Sequence, residues 1–257
     1  MSVDKLWKRL LALGLLALAW QGFALWYNTP LLFPTFTDTA LAFRTALTSE
    51  DQLLTYARET LFNLSVGFAC GVAASTVLVC IALTFGTFGE IVLETLTSLF
   101  APLPAVSIFP LAILWFGVGV KTVIFLTGFA VLFPLTVSAY QGIRTVSPTL
   151  VNVGRNLGLR GPGLMFRVLV PGALPSILSG LRNGVTNGFR ALIAVELVMG
   201  AATGSGGLGW FIMMQKQNLE IPTVFAGILS ILLLASLFEI LFSVLEWLTI
   251  RRWGMLR

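Results

Sequence analysis

The stretch TVIFLTGFAVLFPLTVSAYQGI, from Thr122 to Ile143, carries no charged side chain between Lys121 and Arg144. A helix rises about 1.5 Å per residue, so a run of this length crosses the roughly 30 Å hydrocarbon layer of a bilayer. Its apolar residues are continuous, whereas a membrane β-strand alternates apolar and polar positions over runs of about ten. The stretch therefore reads as a transmembrane helix, and the rest of the chain repeats the pattern.

Working outward, comparable runs lie at residues 10–27, 60–86, 92–116, 174–199 and 223–250. The expectation is an all-α membrane protein: one domain over residues 1–257 with six transmembrane helices. Composition agrees, because 57% hydrophobic against 11% charged residues in a chain of 257 leaves too little polar surface for a water-soluble fold. A mean hydropathy of +0.93 points the same way. A cytosolic enzyme is thereby excluded. With no histidine, a Ser/His or Cys/His catalytic pair, a histidine metal site and a histidine proton relay are excluded too. Cys70 and Cys80 fall ten residues apart in one helical run, about 15 Å along the axis, too far to bridge.

The net charge of +5 is spread along the chain without a basic-aromatic cluster, which argues against nucleic acid and for membrane topology. An even number of crossings puts both termini on one side. Lys5, Lys8, Arg9, Arg144, Arg155, Arg160, Arg167, Arg251, Arg252 and Arg257 fall there, against Arg44, Arg58, Lys121 and Lys216 opposite. The positive-inside bias makes the first group cytoplasmic. Residues 28–54 and 200–222 then lie outside. In the former, Thr37 and Asp38 precede Leu41, Ala42 and Phe43 as helix-start residues, so a short amphipathic interfacial helix is expected. The n-region before residue 10 resembles a signal peptide, but the long core and the absence of a small-x-small cleavage site read as an uncleaved anchor.

The cytoplasmic segment 144–173 is long for a connection and is punctuated internally. Ser147 followed by Pro148 is an N-cap with proline at the first helical position, and Gly158 supplies a left-handed stop, framing a helix over 148–157. Leu150, Val153 and Leu157 give this helix a narrow apolar edge, and Asn152 and Arg155 give it polar contacts. So short a helix needs a partner to pack against.

The run Asn152-Val153-Gly154-Arg155-Asn156-Leu157-Gly158, followed after nine residues by Val168-Leu169-Val170-Pro171, resembles the EAA loop of bacterial ABC importer permeases. That loop reads EAA, three residues, Gly, nine residues, then I-x-L-P. The spacing and the residues Gly158 and Pro171 match, while Asn152, Val153 and Gly154 replace the Glu-Ala-Ala opening. Further similarity runs from Leu32-Phe33-Pro34 through Pro102-Leu103-Pro104 and Ile113 to Gly119, then on to Gly207-Leu208-Gly209 and Phe225 to Ile228. The chain is similar to the branch serving nitrate, sulfonates, taurine and related organic anions such as aromatic carboxylates.

The resemblance implies a subunit of the bacterial inner membrane that is not itself an enzyme and holds no cofactor. Its partners are a second permease copy, two cytoplasmic ATPase subunits that bind ATP and Mg, and a periplasmic or lipid-anchored substrate-binding protein. One such chain supplies half of a pathway, so a homodimer is expected. Ser147, Pro148, Leu150, Asn152, Val153, Gly154, Arg155, Leu157, Gly158 and Pro171 become the residues that couple to the ATPase. A short helix gripped by a partner and continuous with a proline-stiffened segment can transmit rigid-body motion to the spans.

Two tempting motifs fail. Gly204-Ser205-Gly206-Gly207-Leu208-Gly209 fits G-x-G-x-x-G, but it follows a membrane span and has no preceding strand. Ser205 lacks any histidine with which to form a dyad. No G-x-x-x-x-G-K-[ST] occurs, so ATP phosphates would have to be bound by another subunit.

For the solute pathway, Asn183, Asn187 and Arg190 stack along one face of the fifth span, while Gly180, Gly184 and Gly188 form a packing ridge about 100° away. Arg190 has two readings. It gives a cavity between two copies a positive field for an anion, or it neutralises Glu196 or a glutamate of the sixth span. Glu196 is six residues away, so helix geometry does not make the two direct neighbours. Pro102, Pro104 and Pro110 are too many for an unbroken helix. Leu103 to Ser107, with Pro104 and Ser107, is thus a second pathway candidate or a packing kink. Against a secondary transporter driven by an ion gradient stand the lack of a visible inverted repeat and of any aspartate within the spans. A purely structural scaffold is a third reading, under which Asn183, Asn187 and Arg190 would tolerate alanine without loss of transport.

Overall fold

The computed structural model describes residues 3–48, 52–200 and 206–251. Gly204 and Ser205 of the glycine-rich turn, and Arg252 and Arg257 of the charge count, lie outside them. In chain order the helices are α1 (Val3–Tyr27), α2 (Phe36–Thr48), α3 (Gln52–Thr84), α4 (Gly86–Phe100), α5 (Phe109–Phe116), α6 (Val120–Arg144), α7 (Pro148–Asn156), α8 (Pro162–Leu164), α9 (Val170–Met199), α10 (Leu208–Gln217) and α11 (Ile221–Glu246). Among the described residues, four helical stretches are long and apolar enough to cross a bilayer: 53–84, 120–144, 162–199 and 221–249. The apolar part of α1, Leu11–Tyr27, is shorter.

The region read as one crossing over 92–116 is broken. Its two halves, Gly86–Phe100 and Ala105–Phe116, meet at 87°. Pro102 and Pro104 cannot donate helical hydrogen bonds, and a single 3₁₀ turn at Ala105–Ile108 restarts the helix.

The centre of the fold is α6, packed between α3 and α9. Close approach depends on small residues. A Cβ at Gly71 of α3 would stand 2.7 Å from the Gly128 carbonyl oxygen, and a Cβ at Gly184 of α9 would stand 3.1 Å from Val131 Cγ1. The ridge Gly180, Gly184 and Gly188 lies against Ser138, Val131 and Thr127 of α6, as the spacing predicts. Leu126, Val123, Leu192 and Val195 fill the core between these helices and are buried.

The helix expected in 28–54 forms as α2, but it begins earlier than Thr37. Thr35 caps it, accepting the Asp38 N–H at 3.1 Å and donating to Asp38 Oδ2 at 2.6 Å. Trp20 of α1 donates to the Pro34 carbonyl at 3.0 Å and packs on Phe33, Phe36 and Phe225, tying α1 and α2 to α11.

Candidate functional site

Pro134 inside α6 has no N–H, so the carbonyl of Ala130 lacks its usual helical donor. Both residues face a hollow of about 330 Å³ whose other walls are the broken segment 100–106 and one face of α9. Asn187 and Arg190 supply its polar side chains; Phe100, Phe129 and Phe133 supply its aromatic wall. Thus Pro104 and Arg190, far apart in sequence, line the same space.

The remaining pathway candidates lie elsewhere. Asn183 of α9 and Ser107 are both exposed, and neither lines the hollow. Glu196 is fully buried and faces α3 and α10, where Thr60 Oγ1 lies 3.0 Å from each of its carboxylate oxygens and the Gly209 N–H donates to Oε2 at 3.1 Å. The glutamates of the last span do not reach Arg190 either. Arg182, one face round on α9, is ion-paired with Glu239 and reaches Glu246 at 3.4 Å. Among the described ion pairs none includes Arg190, which leaves its charge available to the hollow.

At the opposite end of α9 the segment 144–173 folds as two linked elements. Helix α7 starts at Pro148, and its first turn is closed by the Val151 N–H on the Ser147 carbonyl at 3.2 Å. The Ser147 side chain makes no capping bond, so serine contributes here through its backbone. Gly158 has φ +81°, and the Leu159 N–H bonds to the Gly154 carbonyl while the Gly158 N–H bonds to that of Arg155, each at 3.0 Å. This is the Schellman closure that a left-handed glycine permits. The helix ends at Asn156, one residue before the expected end.

Leu150, Val153 and Leu157 are 54%, 50% and 77% exposed, and Asn152 and Arg155 are exposed beside them. The apolar edge is therefore not covered by the described residues of this chain. Gly154 is the inward-facing position: a Cβ there would stand 2.9 Å from Leu164 Cδ1 and 3.0 Å from Val168 Cγ2. From Leu164 the chain runs through a π-helical turn, Met165–Leu169, in which the Val170 N–H bonds to the Met165 carbonyl. Pro171, lacking an N–H, follows at once and α9 continues to Met199.

Sequence reasoning missed three relationships: the Arg182 pairing, the Thr60–Glu196 contact and the inward role of Gly154. The glutamates of the last span were a visible signal for the first. The other two join a small residue to a distant one and leave no local trace.

The description "binding-protein-dependent transport system inner membrane component" belongs to the family whose profile matches residues 67–249. The taurine transport system permease protein TauC of Escherichia coli K12 is 32% identical over 70% of this chain. A putative aliphatic sulfonates transport permease protein, SsuC, of the same organism is 33% identical over 64%. The matched stretches cover 59% and 61% of those two proteins' own lengths, under two thirds. A probable ABC transporter permease protein of Haemophilus influenzae is 27% identical over 95% of this chain and 96% of its own. A solved crystal structure, of an amino acid ABC transporter with histidines, aligns with a TM-score of 0.63 at 17% identity over 82% of this chain and 98% of that one, a likeness of fold. An all-helical chain with several membrane-length helices and a family match from Gly67 to Thr249 is a multi-pass membrane protein that belongs to the binding-protein-dependent transport system inner membrane components, the permease family its loop spacing resembles.

Proposed function

We propose that this chain is the membrane-spanning subunit of an ATP-driven importer for a small organic or inorganic anion of the sulfonate, taurine, nitrate or aromatic carboxylate class. The single observation that carries the pathway is the meeting of Arg190 and Asn187 with the Pro102–Val106 segment around one hollow. A guanidinium without an ion-pair partner among the described residues, standing at a hollow walled by aromatic and proline residues, gives that space a positive field suited to an anion. The relatives named for taurine and aliphatic sulfonates support the same chemical class.

In this reading the chain crosses the bacterial inner membrane six times, through α1, α3, the bent α4–α5 pair, α6, α8–α9 and α11, with both termini cytoplasmic. Helix α7 then projects into the cytoplasm, and its uncovered Leu150, Val153 and Leu157 seat in a groove of an ATPase subunit that binds ATP and Mg. Two copies of the chain complete the pathway around a two-fold axis, and a periplasmic or lipid-anchored binding protein delivers the solute. The chain performs no chemistry; it exposes the hollow to one side and then the other. The test is uptake of taurine into vesicles carrying the assembled complex. Uptake that requires ATP and the binding protein is expected, and uptake driven by a proton or sodium gradient without the ATPase overturns the reading.

A further inference from the structure

Ser176, Ser179, Asn183, Asn187 and Arg190 recur along α9 at intervals of three or four residues, which places them within about 80° of arc on one face. From Arg190 to Ser176 this face runs about 21 Å, about two thirds of the hydrocarbon layer. Asn187 and Arg190 line the hollow already described, whereas Ser176 and Ser179 line a second one of about 510 Å³. Helix α6 serves both from one face of its own. Ala130 and Pro134 line the first hollow and Ser138, Gln141 and Thr145 the second, again at intervals of three or four. Asn183, exposed on α9 between the two groups, lines neither.

The polar groups of these faces are not spent on the fold. Among the described residues, the side chains of Ser138, Gln141, Ser176, Ser179, Asn183 and Asn187 make no hydrogen bond, and their polar atoms are not sealed in, since Thr39 alone keeps a buried oxygen without a partner. Hydroxyls on other faces of the spans behave differently: those of Thr127, Thr186 and Ser236 donate to the carbonyl four residues earlier at 2.8–2.9 Å. Packing accounts for part of each serine only. A Cβ at Gly180 would stand 2.7 Å from Ser138 Cβ, and one at Gly142 would stand 2.5 Å from Ser176 Cβ. Alanine would make the same contacts, so the hydroxyls are left over. Unpaired polar groups at membrane depth face a water-filled space rather than lipid.

The charge differs between the two ends of this face. The first hollow has Arg190, which no described ion pair includes. The second has Glu246, which shares Arg182 with Glu239. One cation between two carboxylates leaves no positive field there for an anion. Resting on the pathway reading given above, we propose that the solute path continues along this face of α9 to a second station, where Ser138, Gln141, Ser176 and Ser179 receive a small oxyanion through neutral hydrogen-bond donors alone. Passage requires sites that bind well enough to admit a solute and weakly enough to let it go. The first hollow meets the former need and the second the latter.

The test uses the full chain assembled with its ATPase subunits in lipid nanodiscs, with Cys70 and Cys80, both exposed, replaced by Ala. Single thiols are introduced by Ser179→Cys, Asn183→Cys and, as a reference, Leu232→Cys on the exposed apolar surface of α11. Each is treated with a methanethiosulfonate reagent that bears a sulfonate. Ser179→Cys and Asn183→Cys should react about tenfold faster than Leu232→Cys or more, because a charged reagent does not enter lipid. Equal rates would show that the face is covered and overturn the proposal. If either variant does not assemble, Ser176→Cys is read by the same criterion.

A face that is merely wet would also label, so the second measurement is transport. In vesicles, Ser176→Ala combined with Ser179→Ala should lower the taurine moved per ATP hydrolysed by about threefold or more, the scale of two lost hydrogen bonds. The melting temperature should stay native, since neither hydroxyl bonds within the described protein. An unchanged ratio, or a lowered ratio that comes with a lowered melting temperature, overturns the station. If the native complex itself moves no taurine under ATP, the solute reading given above fails instead, and the labelling comparison still decides whether the face is open to a sulfonate.

Discussion

Arg182, midway along α9, is ion-paired with Glu239 of α11. Its other terminal nitrogen reaches Glu246 of the same helix at 3.4 Å. Charges at membrane depth persist when they find one another, so this cation stitches the last span to the bundle. Replacing Arg182 with Leu leaves two glutamates facing each other without compensation. The expected loss is on the order of 1–3 kcal/mol, less than for a fully buried pair because both partners keep some exposure. It should appear as a lower melting temperature of the detergent-solubilised chain. Arg182→Leu combined with Glu239→Leu should recover part of that loss, and equal melting of the native and Arg182→Leu proteins would refute the pairing.

Gly184 and Val131 set the distance between α9 and α6. With only 3.1 Å between a Cβ at 184 and Val131 Cγ1, a larger side chain has nowhere to go unless the helices separate. Gly184→Leu should therefore destabilise the chain by about 1–3 kcal/mol through overpacking. Val131→Ala opens space at that point and should return part of the stability in the double variant, a coupling that a thermal-melt cycle measures directly. Strictly additive effects would show that the two residues do not share the contact.

What the sequence could and could not convey follows from the range of each signal. Arg190 announces itself as a charge in an apolar run, and Pro102 and Pro104 as residues that interrupt a helix; both signals are local. That the two segments share a hollow depends on how α6 places them, and no spacing rule carries this. The glutamates of the last span were equally visible, yet spacing alone offered them to Arg190. The rotation of α9 gives them to Arg182 instead. Glu196 reads as a lone charge in an apolar run, but its partner Thr60 is an ordinary hydroxyl 136 residues away. The loop was the most legible part, since Pro148, Gly158 and Pro171 act through backbone geometry that is nearly independent of context. Even there the expected side-chain cap at Ser147 is absent, and its carbonyl makes only the ordinary first helical bond, from the Val151 N–H.

Gly158 tests whether the stop of α7 matters. Nothing lies within 4 Å of a Cβ at this position, so space is not the constraint; the constraint is φ of +81°. A β-branched residue in the left-handed region costs about 1–2 kcal/mol or more, whereas asparagine tolerates it. Gly158→Val should thus unwind the Schellman closure and reduce stimulation of ATP hydrolysis by the loaded binding protein, and Gly158→Asn should leave it near the native level. If both variants respond like the native chain, the geometry of this turn has no part in coupling.

Arg190 separates the solute pathway from the motor. Because the described ion pairs leave its guanidinium to the hollow, its removal should spare assembly and basal ATP hydrolysis while weakening passage of an anion. Arg190→Gln should reduce taurine or alkanesulfonate uptake by about threefold to fivefold, the consequence of losing up to about 1 kcal/mol of favourable interaction at a guanidinium that is itself exposed. Arg190→Lys keeps the charge but not the planar fork that pairs with a flat or trigonal anionic face, so it should fall between the two. The decisive comparison is the ratio of solute moved to ATP hydrolysed in the same vesicles. A pathway residue lowers the ratio, whereas a packing residue would lower both rates together with thermal stability.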